Sequence, residues 1–381
     1  MNEFKNAYSR LAGTLLLVTL ALPAGAQVFE EEGHHEAFVC DRENFENCLN
    51  GVSSSVTNGA GLRADATRMK DVANERRRRQ QQGGSANTVG LFGAEPGLAA
   101  GDDMGGSVFG MWGSYSYNDF DSDFSFAGTS LGYDADAHNG LFGIDRLFNE
   151  RVLLGMAFGY QSLETETYFN GGQQDSDGYT IAPYAALLLN ANWSIDVSGG
   201  YTWLDNDQDR ISPADGTNIS ASFDSERWFV ATNLNWLATV QQWVLSAKVG
   251  YLHTDEDQDA YVEGGSAASA AGGVLRTVQK RNIDLSQVVA GAEVAYSAQL
   301  FEPFFRAEYR NDLSRDDGNR AGGLPGAFTA VQPNDDDEVQ LGIGFRYYTT
   351  WGVTSTFEYQ RVEGRQAFDS DLFMFTLRAA L

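Results

Sequence analysis

Side chains able to do covalent or metal chemistry are few in this chain. Its 381 residues hold four histidines, His34, His35, His138 and His253, and two cysteines, Cys40 and Cys48. Hydrolysis by an activated serine needs a base beside the nucleophile, and nothing in the sequence places a histidine next to a serine in a strained G-x-S-x-G turn. A Ser–His pair on a lipid-facing wall is the enzyme alternative, but His253, beside Thr254, reads as a rim residue. P-loop, dinucleotide and zinc-ligand spacings are absent, so the sequence predicts neither an enzyme nor a cofactor. Cys40 and Cys48 admit two readings: a small disulfide loop in an exported chain, or a metal-binding tip shared with His34, His35 and the preceding Glu30 to Glu32.

Carboxylates are the abundant reactive group. Asp and Glu number 52 against 26 Lys and Arg, a formal net charge of −26. Such a surface repels phosphate backbones, which excludes nucleic acid as a partner. Many of the acids cluster: 205–209 (DNDQD), 255–259 (DEDQD), 315–317 (RDD) and 335–338 (DDDE). These clusters read as long-loop ends that would bind Ca²⁺ or Mg²⁺ weakly and bridge to anionic lipopolysaccharide. A second charged set is periodic. Asp196, Lys248, Glu293, Arg306, Glu308, Arg310, Arg346, Glu358 and Arg378 occupy the polar phase of apolar–polar alternations, as Glu358 does in 351–360.

An alternation of period two describes a strand whose faces meet different surroundings. In 370–381, Phe373, Phe375, Leu377, Ala379 and Leu381 share one face while Thr376 and Arg378 share the other. The same pattern recurs at 193–203, 243–251, 305–310, 339–347 and 351–360. Twelve strands are predicted: 107–118, 138–148, 151–167, 178–190, 193–206, 222–239, 242–255, 279–297, 302–314, 338–349, 352–363 and 371–381. Pro183 blurs the fourth. The connections 149–150, 191–192, 241–242, 298–301 and 350–351 are short, and they alternate with long ones at 168–177, 207–221, 256–278 and 315–337. Short turns on one rim and long loops on the other describe an outer-membrane β-barrel, apolar outside and polar inside. On that fold the charged set lines the pore, and Phe373, Phe375, Leu377 and Leu381 form a terminal assembly signal.

The N-terminus differs. Lys5 and Arg10 precede an apolar run, 11–22, that ends at Pro23 and is followed by Ala24-Gly25-Ala26, the pattern of a cleaved signal peptide. Its removal takes away Glu3, Lys5 and Arg10, a net +1, and leaves −27. Residues 27–104 then precede the barrel at 105–381. Within them, 61–82 is rich in helix formers, polar all round, and carries Arg76, Arg77, Arg78 and Arg79 before Gly83-Gly84. Residues 83–106 read as a flexible linker.

The string 140–164 (GLFGIDRLFNERVLLGMAFGYQSLE), with 108–117 (VFGMWGSYSY) and the apolar last strand, resembles the autotransporter β-domain of type V secretion. The resemblance covers about residues 105–381. It implies a twelve-stranded all-β barrel in the bacterial outer membrane, threaded by an N-terminal helix, and 61–82 stands where that helix would lie. It also implies export or display of an N-terminal segment, and periplasmic chaperones and the barrel-assembly machinery as partners. A passive pore or a structural barrel without cargo is the alternative. Two departures stand out: the chain ends in Leu381 rather than an aromatic residue, and only about 75 residues lie between the signal peptide and the first strand, with no repeat of a β-helical passenger.

Overall fold

The computed structural model describes residues 108–380, except for connecting stretches of which 266–276 and 317–335 are the longest. The signal-peptide region, Cys40 and Cys48, Arg76 to Arg79, the linker and Leu381 lie outside the described residues. Twelve long strands form the wall. They are β1 (Val108–Ser122), β2 (Tyr133–Phe148), β3 (Val152–Thr167), β4 (Gly172–Leu188), β5 (Trp193–Ile211) and β6 (Asn218–Val240). The second half comprises β7 (Trp243–Gln258), β8 (Arg281–Tyr296), β9 (Phe301–Asp316), β10 (Asp337–Tyr348), β11 (Val353–Glu363) and β12 (Asp369–Ala380). Every neighbour is antiparallel, β1 pairs with β12 from Gly110↔Ala380 to Asp121↔Asp369, and the sheet closes. Closure leaves no unpaired edge, which a wall in hydrocarbon requires.

Parity assigns the faces. Exposed large side chains on the outer phase are apolar: Phe142, Ile144, Phe158, Trp193, Ile195, Val197, Ile343, Phe375 and many more. Buried side chains on the inner phase are largely polar, from Ser114, Ser116 and Asn118 on β1 to Thr376 and Arg378 on β12. This inverts a soluble protein and fits a wall with lipid outside. On β5 the outer phase is apolar from Trp193 to Trp203 and turns acidic at Asp205. The ten steps from Trp193 to Trp203, at about 3.3 Å each on a strand tilted by about 40°, give an apolar band of about 25 Å.

The tight turns gather at one rim, with Asn149 and Gln241 at positive φ (48° and 56°) in two of them. The beginning of β1 and the end of β12 share that rim, because Val108 pairs with Leu147 and Gly110 with Ala380. At the other rim the strands run further than the sequence suggests. The expected loop 168–177 shrinks to 168–171, and 207–221 to 212–217, because the acidic stretches continue the ladder: Asp175↔Asp207 and Asp205↔Asp224 are paired. Four of the five residues of 255–259, and Arg315 and Asp316, are likewise strand rather than loop. Pro183 sits within β4 where pairing to β5 skips from Ile181↔Tyr201 to Tyr184↔Ser198, as a residue without an N–H demands.

Candidate functional site

The barrel interior concentrates the chemistry. Arg306 donates to Glu293 (3.0 Å) and lies 3.3 Å from Glu358, while Arg346 donates to both Glu293 (3.0 Å) and Glu302 (2.8 Å). Lys248 pairs with Glu308, which also accepts from Arg310 (2.8 Å). Arg378 donates to Asp145 (2.6 Å), and the two amides of Asn233 and Asn235 donate to the carboxylate of Asp196 (2.7 and 2.5 Å). Asp196, Lys248, Glu293, Arg306, Glu308, Arg346, Glu358 and Arg378 therefore all sit on the inward face, and the wall's own cations answer most of its carboxylates. Burial raises the cost of an unanswered charge, so a paired wall is the stable solution.

The sequence pattern missed several members. Asp145, Arg227, Glu256, Glu302 and Glu338 are nearly fully buried on the inner phase. Their signal was the same parity, hidden because most lie near strand ends. Near the tight-turn rim, the Trp112 indole N–H donates to the Tyr184 hydroxyl (2.7 Å), which donates to Asp145 (2.9 Å). Gly143 and Gly155 make room for these rings: a Cβ at either would stand 2.3 Å from Trp112 or 2.2 Å from Tyr184. Two of the glycines of 140–164, Gly143 and Gly155, are thus beds for aromatic side chains.

On the outer face, Phe373, Phe375 and Leu377 are 43, 42 and 44% exposed, in register with Tyr117, Tyr115 and Gly113 of β1. At the loop-side edge of the apolar band every odd-numbered strand carries a tyrosine whose hydroxyl reaches diagonally to the next strand. Tyr117 donates to Asp136, Tyr160 to Asp177 (2.7 Å), Tyr201 to Glu226 (2.6 Å), Tyr309 to Asp337 (2.5 Å) and Tyr359 to Asp371 (2.5 Å). On β7, Tyr251 instead donates to Ser286 (3.3 Å), which also bonds His253 Nδ1 (2.9 Å). This Ser–His contact is one segment of the aromatic ring, with His253 edge-on to Trp228. His138 occupies the matching level beside Tyr115 and Tyr117. A G-x-S-x-G string does occur at 128–132, but Thr129–Ser130 pairs with Ser125–Phe126 as a hairpin, not as a strand-to-helix elbow.

Beyond the tyrosines stands an acidic collar. Asp119 faces Asp136 and Asp371, Asp134 faces Glu166, Glu164 faces Asp175, Glu226 faces Asp257, and Asp284 faces Asp255 and Asp316. Like charges directly opposite across a ladder destabilise it. Among the described residues no three His, Cys, Asp or Glu side chains converge to hold a metal ion.

A twelve-stranded closed wall, an apolar band and a polar, ion-paired lumen meet a matching family: the autotransporter β-domain model fits residues 111–360. The chain belongs to the autotransporter β-domain family. Two solved structures are similar to it. The translocator domain of the autotransporter NalP from Neisseria meningitidis is 12% identical, with 73% of this chain and 90% of that one covered at a TM-score of 0.58. The β-domain of the Bordetella autotransporter BrkA is 14% identical, with 71% and 98% covered at 0.52. At these identities the likeness is one of fold. No curated protein matches the chain. This autotransporter β-domain is an outer-membrane β-barrel.

Proposed function

We propose that this barrel translocates or displays a short N-terminal segment, residues 27–104, delivered to the periplasm by a signal peptide at 1–26. The observation that carries the reading is where the wall begins. β1 starts at the tight-turn rim, with Val108 opposite Leu147, and short turns face the periplasm in outer-membrane barrels. A segment preceding β1 reaches the outside by passing up the lumen, and the lumen offers it polar walls. Residues 61–82, with Arg76 to Arg79, occupy that lumen in this reading, beside Glu293, Glu308 and Glu358. The barrel acts as a conduit rather than a catalyst. Periplasmic chaperones and the assembly machinery bring it to the membrane, where its terminal strand docks. Ca²⁺ or Mg²⁺ screens the acidic collar and bridges it to lipopolysaccharide, diffusely rather than at one chelating site.

The test is an epitope placed within 27–60 of the full-length chain, probed by antibody in intact cells. Surface labelling is expected. An epitope reached only after the outer membrane is breached overturns translocation and favours a barrel without cargo.

A further inference from the structure

We propose that the loop-side mouth of the barrel is a latched gate, shut by two of its own connections and opened by their local release. The connection 364–368 between β11 and β12 turns inward at both ends. The Arg365 side chain, 6% exposed, donates to Asp312 (2.7 Å) on β9 and Glu338 (2.5 Å) on β10, both inward-facing. Three residues later Phe368 packs on the inward cluster of Phe120, Tyr133 and Leu163, which belongs to β1, β2 and β3. The described ends of this connection thus reach inward to two parts of the wall, Arg365 to β9 and β10 and Phe368 to β1, β2 and β3. The connection after β7 does the same on the other side. Glu263 accepts two bonds from Arg210 of β5 (2.8 and 3.1 Å), both side chains at most 5% exposed. Tyr261 stacks on Phe223 of β6 at 4.5 Å and 12°. Gly265, at φ 143°, lies so close to β6 that a Cβ would stand 2.2 Å from the Asn218 carbonyl.

These contacts are large enough to hold and small enough to release. Each strap packs one partly buried aromatic residue and one set of buried ion pairs against the wall. Segments with few apolar contacts open locally at free energies well below global unfolding. On release the buried charges regain water, so the desolvation that weakens a buried pair also favours opening. The gate rests on the reading above that this rim faces outward, and any chain or solute leaving the lumen must displace it.

The test uses the full-length chain in intact cells, with Cys40 and Cys48 replaced by serine and one reporter thiol added. Thr165→Cys places it on the inward face of β3, 1% exposed, in register through Ala135 with Phe120, the residue that Phe368 packs against. A bulky, membrane-impermeant maleimide is the probe. We expect labelling about tenfold faster when Arg365→Ala and Phe368→Ala are combined, and slow labelling retained in Arg365→Lys. Glu263→Gln, which loosens the opposite strap alone, should accelerate it as well. Heat-dependent gel mobility identifies folded barrels. Should the double variant not fold, Glu263→Gln and Phe368→Ala separately decide the matter. Equal rates with and without the latches overturn the gate. Ser222→Cys, exposed on the collar, is the control. If it stays unlabelled, the outward orientation fails and the outer gate with it; if it labels fast while the rates at 165 are equal, the gate alone fails.

Discussion

Glu293 accepts from Arg306 and Arg346 with all three side chains at most 11% exposed, whereas Glu363 meets Arg361 on the outer rim with both side chains at least 40% exposed. Exposed pairs contribute about 0–1 kcal/mol, but removing one partner of a buried pair costs about 3–5 kcal/mol, because the charge left behind stays desolvated. Glu293→Gln, nearly the same shape, should therefore lower barrel stability by about 3–5 kcal/mol in urea titrations of refolded protein. Glu363→Gln should change it by less than about 1 kcal/mol. Equal effects would mean that water in the lumen screens Glu293 as well as bulk solvent does. At this scale the sequence was legible in parity but not in partnership. Glu293 and Arg378 could be assigned to the inner face from spacing alone. That Arg378 meets Asp145, 233 positions away, depends on the register of the β12–β1 closure, which no local pattern encodes.

Strands were legible wherever the outer phase was apolar, and several, β5 among them, were cut short where it turned acidic. The expected β5 ended at 206 and the observed one at Ile211, because Asp205, Asp207 and Asp209 alternate with Asn206, Gln208 and Arg210. A polar–polar alternation looks like a loop, although its ladder is intact. The physical reason is that these ends stand above the bilayer, so their outer phase faces water and no longer needs to be apolar. The consequence is the collar. In the part of β1 that clears the apolar band, Asp119 and Asp121 are held above the usual carboxylate range. Partial burial comes first and the facing carboxylates second: Asp136, Asp134 and Asp371 for Asp119, and Asp369, Asp123 and Asp134 for Asp121. A carboxyl group whose folded pKa exceeds its unfolded value stabilises the fold when protonated, and that contribution is lost as pH rises through the folded pKa. The thermal midpoint of the detergent-solubilised barrel should thus rise on acidification from pH 7 towards the carboxylate range. Millimolar Mg²⁺ at pH 7 should raise it too, and a chelator should reverse that gain. A midpoint that falls over the same acid interval, or ignores Mg²⁺, would mean that strand pairing at the collar does not feel these repulsions.

For the molecule as a whole, the lumen wall, the straps at the mouth and segment 61–82 act on the same path. The closed twelve-strand wall followed from alternation, loop sorting and resemblance together. The straps did not, because Arg365 and Phe368 carry no periodicity and acquire meaning only once the wall curls round to meet them. In the proposed reading two obstacles then stand in series: the helix of roughly 22 residues, about 33 Å long, in the lumen, and the latched straps above it. Resistances in series add, so removing one leaves the other limiting. Deleting 61–82 alone, or combining Arg365→Ala with Phe368→Ala alone, should each raise single-channel conductance in a planar bilayer only modestly. All three changes together should raise it by far more than the sum of the separate gains. Full conductance from the deletion alone would show that the straps are no barrier to ions. If the deletion adds nothing once the straps are released, 61–82 does not occupy the lumen, and the segment preceding β1 must be sought outside the barrel.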